Sequence, residues 1–515
     1  MTTAVALKKD EYYDSVFLMR IAQRMSQEPG IEQAVAIMGS EKNKGLLAQA
    51  GFHNPEIAQA SPNDLIVGVS ADSPERAWAV LGRIDEWLQQ RQIESKQATY
   101  RTLEQAEQAQ PDSNLAVISV PGEYAAREAR QALERGLNVF LFSDNVSVEQ
   151  EIELKSFAKE RGLLVMGPDC GTAIIAGVGI GFANAVRRGS VGVIGASGTG
   201  TQEITSLVHE AGLGVSHAIG TGSRDLSDKV GGVTTLAAID ALEADAETAV
   251  IVCVSKPPGA KTLAEVVHRL DRCAKPVVAC FLGASEEALG TGRRFLVART
   301  LDQAAALAVR QAGGMASAIV PKDEEQMLGR LVAAERARMA SEQRYVRGVF
   351  AGGTFCYQAQ QVLRDAGIET HSNAPLEPRL ALADPMSSVE HTMVDLGADE
   401  FTQGRPHPMI DSTFRRERIL REAGDPSVAV LLVDFILGYG AAADPAGDLA
   451  GAIAKAKADA SARGGYLSVV ASVCGTEGDP QGLERQRTTL REAGALVFAS
   501  SAQAARCCAR LVKGK

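Results

Sequence analysis

Residues 196–212 read ASGTGTQEITSLVHEAG, and residues 351–367 read AGGTFCYQAQQVLRDAG. Each stretch follows an apolar run, places Gly-Thr near its start and ends on Ala-Gly. Apolar side chains recur at the helical spacing i, i+3, i+4, i+7 in both copies: Ile204, Leu207, Val208 and Ala211, then Ala359, Val362, Leu363 and Ala366. The pattern predicts a strand, a Gly-rich turn and a helix that occur twice, in two related domains.

The start of each predicted helix is a candidate anion site. In the first copy we expect Thr199 to be the N-cap and Gln202 to close a capping box. A helix start leaves amide groups without acceptors at the positive end of the dipole, which suits a phosphate or a carboxylate. The candidate phosphate-binding residues are Ser197, Gly198, Thr199, Gly200, Gly352, Gly353 and Thr354. Two such starts aimed at one point would clamp an anion, whereas the plain alternative is a pair of chain reversals that bind nothing.

Composition excludes several classes of function. The chain has 515 residues, of which 45% are apolar and 23% charged, which fits roughly three or four globular domains. A formal charge of −10 argues against nucleic acid or an anionic membrane as a main partner. We find no apolar stretch of about eighteen residues and no signal-peptide core, so we expect a cytoplasmic protein. The eight cysteines include no C-x-x-C pair, which predicts reduced thiols and no metal site.

The chain divides into four predicted segments. Residues 1–100 alternate short strands and helices, which predicts a small α+β domain of the ferredoxin-like type, with a β-α-β-β-α-β order. Residues 113–188 read as a βαβαβ half of a parallel sheet, and residues 189–320 and 345–515 read as two further βα series. Residues 89–112 are polar and Gln-rich, which favours a linker.

Several motifs in these segments resemble a known family. GPDC at residues 167–170, SVGVI at 190–194, SGT at 197–199 and AGLG at 211–214 follow the order seen in the α subunit of succinyl-CoA synthetase. GGT at 352–354, VDFILG at 433–438 and GT at 475–476 resemble the CoA-ligase domain of its β subunit. The fusion of these pieces, with DLGADEFTQGRPHPMID at residues 395–411, resembles the FdrA family.

The resemblance implies an α/β fold of the succinyl-CoA synthetase type. Residues 113–188 would be a Rossmann-like, CoA-binding-type unit. Residues 189–320 would be a flavodoxin-like domain related to the synthetase α subunit, and residues 345–515 a CoA-ligase-type, flavodoxin-like domain. The small N-terminal α+β unit precedes them.

One element of the synthetases is missing. The resemblance implies that two helix starts hold a phosphate carried on a histidine, but residues 280–294, which should carry that histidine, contain none. A nucleotide-grasping domain is also missing, and no G-x-x-x-x-G-K loop replaces it. We therefore expect that this chain alone does not activate a carboxylic acid with ATP, and that it requires no cofactor of its own.

For the function, the resemblance to the FdrA family implies a carbamoyltransferase subunit. The reaction would interconvert oxalurate plus phosphate and oxamate plus carbamoyl phosphate, in anaerobic allantoin (purine) breakdown. Carbamoyl phosphate would be the substrate, and we expect a homo-oligomer in a complex with other carbamoyltransferase subunits. Two alternatives stay open: an acyl-CoA synthetase or CoA-ligase component, for which CoA is a possible ligand, and a noncatalytic scaffold.

Two residues of the long third-domain motif are the candidate catalytic groups. Arg405 could grip a carboxylate such as that of oxamate with its planar fork, or it could pin Asp411 or Glu400. His407, bracketed by prolines, is either a general acid/base or a structural histidine.

Further residues are candidates for substrate binding: Asp169, Cys170, Arg224, Asp399 and Glu400. Arg224 either reaches an anion or forms an ion pair with Asp225 or Asp228. Close packing of a small side chain is the favoured explanation for Cys170 and for Cys356. The alternative for Cys356 is a thiolate, because it lies in the first turn of a predicted helix, where thiolates are stabilised.

Overall fold

The computed structural model describes residues 2–11, 13, 15–88, 99–402 and 405–514. The chain forms two compact units. The first unit is Met1–Ser113 with Thr402–Pro406, and the second is Asn114–Phe401 with His407–Lys515. Within the described ranges, no helix is long and apolar enough to cross a membrane.

The first unit is a small α+β domain with an antiparallel sheet in the order β1-β3-β2. Its strands are β1 (Thr2–Lys8), β2 (Ile31–Met38) and β3 (Leu65–Ala71). Its helices are α1 (Ser15–Ser26), α2 (Glu41–Gln49), α3 (Pro55–Gln59), α4 (Pro74–Gly82) and α5 (Leu103–Ala109). Apart from α2 and α3, which are inserted between β2 and β3, the order β1-α1-β2-β3-α4 matches five of the six elements of the ferredoxin-like pattern. The described part of this unit contains no fourth strand. Helix α5 lies inside the stretch predicted as a linker and buries no residue.

The second unit begins with the predicted βαβαβ segment. Three parallel strands lie in the order β4-β5-β6: β4 (Leu115–Ile118), β5 (Asn138–Leu141) and β6 (Val165–Met166). The crossover helices are α6 (Gly122–Glu134) and α7 (Val148–Glu160).

The next sheet has seven strands in the order β13-β12-β11-β9-β10-β7-β8. They are β7 (Thr172–Ile175), β8 (Val178–Gly181), β9 (Arg188–Gly195), β10 (Val215–Gly220), β11 (Val250–Ser255), β12 (Val277–Phe281) and β13 (Leu296–Val297). The helices are α8 (Gly198–Glu210), α9 (Val233–Ala244), α10 (Ala260–Leu270), α11 (Glu286–Leu289) and α12 (Leu301–Gln311). The parallel part, β10-β9-β11-β12-β13, has the flavodoxin-like order 2-1-3-4-5. The β7–β8 hairpin adds to β10 in the antiparallel sense, so this sheet also takes strands from before residue 189.

The last sheet repeats that order in β16-β14-β17-β18-β19 and adds β15 at one edge. Its strands lie as β15-β16-β14-β17-β18-β19: β14 (Tyr345–Phe350), β15 (His371–Ser372), β16 (Thr392–Asp395), β17 (Val428–Ile436), β18 (Ser468–Cys474) and β19 (Leu496–Phe498). The helices are α13 (Glu324–Arg336), α14 (Gly353–Asp365), α15 (Asp399–Thr402), α16 (Thr413–Ala423), α17 (Pro445–Ala462), α18 (Leu483–Glu492) and α19 (Ser501–Val512). Short 3-10 turns lie at Ala316–Ala318 and Pro378–Leu380. The duplication predicted from the sequence is therefore a duplication of a whole flavodoxin-like domain.

The two flavodoxin-like domains share one core and cap each other's helices. The Glu203 carboxylate on α8 accepts a hydrogen bond from the amide of Ser501, the first residue of α19, over 2.8 Å. Gln358, at the equivalent position of α14, accepts one from the amide of Leu301, the first residue of α12, also over 2.8 Å. Each domain thus supplies an acceptor for an orphan amide of the other, and this exchange keeps α8 and α14 side by side.

Glu203 should make the stability of the protein depend on pH. Burial raises the pKa of Glu203 from 4.5 to about 8, so the folded chain keeps a proton that the unfolded chain has released between those values. The free energy of unfolding should therefore fall as pH rises through this window, by up to about 1 kcal/mol per pH unit from this group. Denaturant unfolding across the window should show a smaller slope for Glu203→Gln than for the wild type.

The matched control is Gln358→Ala. It removes the equivalent cap without removing a titrating group, so it should lower stability by a similar amount at every pH in the window. A wild-type slope that the Glu203→Gln exchange leaves unchanged would contradict the assignment.

Candidate functional site

The two Gly-rich helix starts meet in the second unit. The hydroxyl oxygens of Ser197 and Thr354 lie 2.5 Å apart, within hydrogen-bond distance. A Cβ atom built on Gly352 would lie 3.1 Å from Cγ2 of Thr199. The structure thus brings together all the predicted phosphate-binding residues, which we call the two-helix site: Ser197, Gly198, Thr199, Gly200, Gly352, Gly353 and Thr354.

The first helix start is capped by a hydroxyl. Ser197 is the N-cap of α8, and its side chain accepts a hydrogen bond from the amide three positions on, over 3.0 Å. The expected cap at Thr199 with a Gln202 capping box is wrong, because the helix already begins at Gly198. The Gln202 side chain instead donates to Oδ1 of Asn184 over 3.2 Å, in the core. The remaining amides of this first turn have no intrahelical acceptor and point outward.

A buried carboxylate binds the two amides that directly precede the second helix. The two oxygens of Asp434, on β17, accept hydrogen bonds from the amides of Ala351 and Gly352 over 2.8 and 2.7 Å. Arg415, on α16, donates to Oδ1 of Asp434 over 2.8 Å, and both side chains are buried. The amides before α14 are therefore saturated from within the protein, and the anionic charge of their acceptor is balanced by a guanidinium.

A second carboxylate and a lysine stand at the same helix start. A Cβ atom built on Gly353 would lie 2.4 Å from Oδ2 of Asp395 and 3.4 Å from Nζ of Lys256. Oδ1 of Asp395 accepts a hydrogen bond from the amide of Gly397 over 2.9 Å. Burial raises the pKa of Asp395 to about 6, and the positive charge of Lys256 opposes that rise.

His407 lies beside this group. A Cβ atom built on Gly397 would lie 2.8 Å from Nε2 of His407, 2.9 Å from the carbonyl oxygen of Ala351 and 3.2 Å from Oδ1 of Asp395. Nδ1 of His407 accepts a hydrogen bond from the amide of Met409 over 3.2 Å. The neutral ring therefore carries its proton on Nε2, the nitrogen that faces the second helix start. Burial, helped by the charge of Arg415, lowers the pKa of His407 to about 4.

Three of these residues are not among the site residues predicted from the sequence: Lys256, Asp395 and Asp434. They share one signal, because Lys256 directly follows β11, Asp395 ends β16, and Asp434 lies near the end of β17. Polar residues at the carboxyl ends of parallel strands meet at the edge of an α/β sheet where ligands bind. The sequence alone does not say that two such edges face each other.

Asp169, Cys170 and Arg224 make contacts of their own beside the first βα segment. Asp169 accepts a hydrogen bond from the hydroxyl of Ser223 over 2.6 Å, and burial raises its pKa. Cys170 is buried, and burial raises the pKa of its thiol to about 12, so packing explains it. Arg224 lies 3.0 Å from Oε2 of Glu151, which corrects the expected ion pair with Asp225 or Asp228.

The thiol of Cys356 behaves like that of Cys170. It lies in the first turn of α14, but it is buried, and burial raises its pKa. Burial thus favours the packing explanation over a thiolate stabilised by the helix, because the loss of hydration outweighs the helix dipole.

The acidic motif around α15 is divided between the two units. Glu400 accepts a hydrogen bond from Nδ2 of Asn373 over 2.8 Å, and Asn373 also accepts one from the Asp395 amide over 2.9 Å. Asp399 stands close enough to Asp169 for its charge to raise the pKa of that carboxyl. Arg405 is exposed and groups with the first unit, so its part in substrate binding stays a prediction.

Family models match three parts of the chain. A model described as CoA-ligase matches residues 349–511, one described as CoA binding domain matches residues 186–283, and one described as "AllF, heavy metal-associated domain" matches residues 1–102. A protein of Escherichia coli (strain K12) described as uncharacterized protein YahF is 45% identical over 503 residues, which are 97% of each chain. The chain belongs to the YahF family.

Succinate–CoA ligase subunits match a shorter part of this YahF-family chain. The alpha-2 subunit of Trichomonas vaginalis, described as mitochondrial, is 31% identical over 34% of the chain, and the alpha 2 subunit of Archaeoglobus fulgidus is 29% identical over 33% of it. The chain spans 58% and 60% of the length of these two relatives. With the family models, these matches give the chain CoA-binding and CoA-ligase domains of the succinyl-CoA synthetase type.

Solved structures also align with the YahF-family chain. PH0766 of Pyrococcus horikoshii OT3 aligns over 78% of this chain and 84% of its own, with 19% identity and a TM-score of 0.33. A dinucleotide-forming acetyl-coenzyme A synthetase 1 of Ca. Korarchaeum cryptofilum, in complex with phosphate and ADP, aligns over 78% and 82%, with 16% identity and a TM-score of 0.32.

The AllF-type domain of this chain lacks the ligands that its description suggests. Residues 1–102 contain no cysteine, and thiolates are the ligands that soft heavy metals prefer. A search of the described residues finds no cluster of His, Cys, Asp and Glu side chains that could hold a metal ion. The residues present do not fit a heavy-metal carrier.

We expect His407 to stay neutral through the physiological range, with its proton on Nε2. Nitrogen-15 NMR of histidine-labelled protein, with His407→Gln used to assign the signal, should place its titration near pH 4 and well below the ordinary value of 6.5. A midpoint close to 6.5, or a proton on Nδ1, would contradict the burial and the Met409 hydrogen bond described above.

Proposed function

We propose that this protein transfers a carbamoyl group between carbamoyl phosphate and an amide acceptor such as oxamate, with the phosphate held at the two-helix site. The observation that carries the proposal is the meeting of two helix starts at Ser197 and Thr354 in a chain whose residues 280–294 contain no histidine. An acyl phosphate brings its own phosphate to such a site, so no phosphate carrier on the protein is required.

The first helix start favours the phosphate. Around α8 the cap is the hydroxyl of Ser197, and Oγ1 of Thr172 would lie 3.3 Å from a Cβ atom built on Gly198. Outward amides, hydroxyls and the helix dipole suit a phosphate dianion. Around α14 the two carboxylates Asp395 and Asp434 would repel a dianion. The leaving phosphate therefore belongs at the α8 side. Lys256 is the cation that lies near the second helix start.

The geometry around His407 argues against a phosphohistidine at that position. A histidine nucleophile attacks through an unprotonated nitrogen, but Nδ1 of His407 is occupied by the Met409 amide and Nε2 carries the proton. His407 is instead suited to donate a hydrogen bond from Nε2. Negative charge that grows on the carbamoyl oxygen during attack would be a suitable acceptor.

A second candidate function is favoured by a different observation. The models for a CoA-ligase and a CoA binding domain together cover residues 186–283 and 349–511. As a CoA-ligase component, the chain would bind CoA and would depend on a further polypeptide for ATP or GTP. The relatives named succinate–CoA ligase are described as subunits, which supports a complex of several chains in either case.

The match of residues 1–102 to an AllF domain supports the carbamoyl proposal. It agrees with the resemblance of residues 395–411 to the FdrA family, some of whose members take part in anaerobic allantoin breakdown. Oxalurate and oxamate are the corresponding substrate pair, and the acceptor carboxylate is the group that Arg405 would bind.

The deciding assay follows phosphate release from carbamoyl phosphate by phosphorus-31 NMR, with the purified chain alone and with the products of neighbouring genes. Carbamoyl transfer predicts release that depends on oxamate and needs neither nucleotide nor CoA. A CoA-ligase component predicts turnover only with CoA and a nucleoside triphosphate. Acid-labile, base-stable phosphate on the protein after incubation with labelled substrate would overturn the carbamoyl proposal and favour the ligase.

Gly198→Val should weaken phosphate binding at least about tenfold with little loss of stability, because its side chain would fill the space where the amides meet the ligand. Isothermal titration with inorganic phosphate measures the affinity, and thermal unfolding measures the stability. Gly451→Val is the control, since a Cβ atom at Gly451, in α17, would meet open space. Equal loss of binding and stability in the Gly198 variant would favour a purely structural turn.

A further inference from the structure

We propose that Asp395 is the catalytic residue that exchanges the proton of the transfer reaction, and that Lys256 holds its carboxylate in the anionic form until the acceptor nitrogen arrives. The inference rests on the proposed function and adds to it the path of the proton. It also restricts the acceptor to an uncharged nitrogen that must lose a proton, such as an amide.

The position of Asp395 carries the proposal. The residue ends β16, and its main chain is bound to the Asn373 side chain. Its amide donates a hydrogen bond to Oδ1 of Asn373 over 2.9 Å, and its carbonyl oxygen accepts one from Nδ2 over 3.0 Å. Oδ1 is held by the amide of Gly397, whereas Oδ2 faces the first residue of α14, close to Lys256. In the part of the chain that the structure describes, Oδ2 accepts no hydrogen bond. One oxygen is therefore fixed and the other is available to a ligand.

The other candidate groups at this helix start cannot accept a proton. Asp434 is fully buried, and its two oxygens are taken by two amides and by Arg415. His407 already holds a proton on Nε2, and Nδ1 is occupied. By elimination, Oδ2 of Asp395 is the acceptor at this end of the two-helix site.

Charged groups on several elements surround Asp395 and set the balance between its anionic and its protonated form. Lys256, from the turn after β11, favours its anionic form, while Asp434 on β17 and Glu400 on α15 oppose it. The effect of these two carboxylates on Asp395 is weakened, because Asp434 is paired with Arg415 and Glu400 accepts a hydrogen bond from Asn373. Lys256 itself has no salt bridge to any described carboxylate, so its charge is available to Asp395 and to an incoming phosphate.

The step balances as follows. The acceptor nitrogen attacks the carbamoyl carbon, a C–N bond forms, and the C–O bond to phosphate breaks with its electron pair leaving on the phosphate oxygen. The proton released by the nitrogen passes to Oδ2 of Asp395 and then to the departing phosphate. In the reverse direction, phosphate attacks the carbamoyl carbon of the ureido product and protonated Asp395 returns the proton to the leaving nitrogen. No oxidant, metal or nucleotide is consumed.

The test compares Asp395→Asn, Lys256→Met and the control Asp459→Asn in the active complex. Asp459 forms an exposed pair with Lys455 on α17, so its variant should behave as the wild type. Loss of a general base typically lowers kcat by 10² to 10⁴-fold, and we expect about that loss for Asp395→Asn. Its affinity for inorganic phosphate, measured by isothermal titration, should be unchanged or higher, because a negative charge has been removed.

The pH profile gives a second readout, independent of how well Asp395→Asn folds. Lys256→Met removes the charge that favours the anionic carboxylate, so the acidic limb of the kcat profile should move to higher pH, and phosphate affinity should fall about tenfold or more. Asp395→Asn within about threefold of the wild-type kcat, or an acidic limb that Lys256→Met leaves in place, would overturn the inference while leaving the proposed function intact. A wild-type complex that releases no phosphate from carbamoyl phosphate would overturn both.

Discussion

Two helix N-termini that face each other present an electrostatic difficulty before any ligand is considered. Both ends carry partial positive charge, and both leave amides that need acceptors. The protein meets the need differently on the two sides. The hydroxyl of Ser197 caps α8, whereas the amides just before α14 bind the buried carboxylate of Asp434, which has Arg415 as its counter-ion. The two helix starts therefore differ in charge: a neutral hydroxyl lies at one and a paired carboxylate at the other.

The contact between α8 and α14 is stabilised by two hydrogen bonds, in which each domain supplies the acceptor for a helix start of the other. Glu203 and Gln358 occupy equivalent positions on α8 and α14 and each reaches the first residue of a helix in the opposite domain. A buried acceptor that loses its donor costs free energy, so separating α8 from α14 would destabilise the protein. The side chains of Asp395 on β16, Lys256 after β11 and His407 after α15 are thus placed against a fixed pair of helices.

Much of the fold follows from local signals in the sequence. The repeated Gly-Thr turn and the helical spacing of its apolar residues predict both flavodoxin-like domains. Strand β17, in which Asp434 is the single polar residue, is a recognisable central strand. The cap of α8 is missed by two residues, because Ser197 and Thr199 are equally good capping residues and only the backbone conformation distinguishes them. Strand β1 is also missed, since Thr2–Lys8 alternates only weakly between buried and exposed positions.

The site is less predictable than the fold for a physical reason. The two helix starts could be recognised because each is encoded by consecutive residues. Lys256 and Asp395 lie more than a hundred residues apart and meet only because two parallel sheets place their carboxyl edges opposite one another. Burial then inverts the simplest expectations: it keeps Cys356 protonated and His407 neutral, although neither effect is visible in the residue types.

The edges of the two large sheets matter for a chain that contains the same topology twice. Related domains in one polypeptide can exchange strands while they fold, and open sheet edges invite such mispairing. Here the outermost strands are short: β13 and β15 have two residues each, β19 has three, and β8, the outer strand of the hairpin that covers β10, has four. Short edge strands offer too few hydrogen bonds to bind a strand of the other domain stably. Each domain can therefore complete its own sheet before the two domains associate.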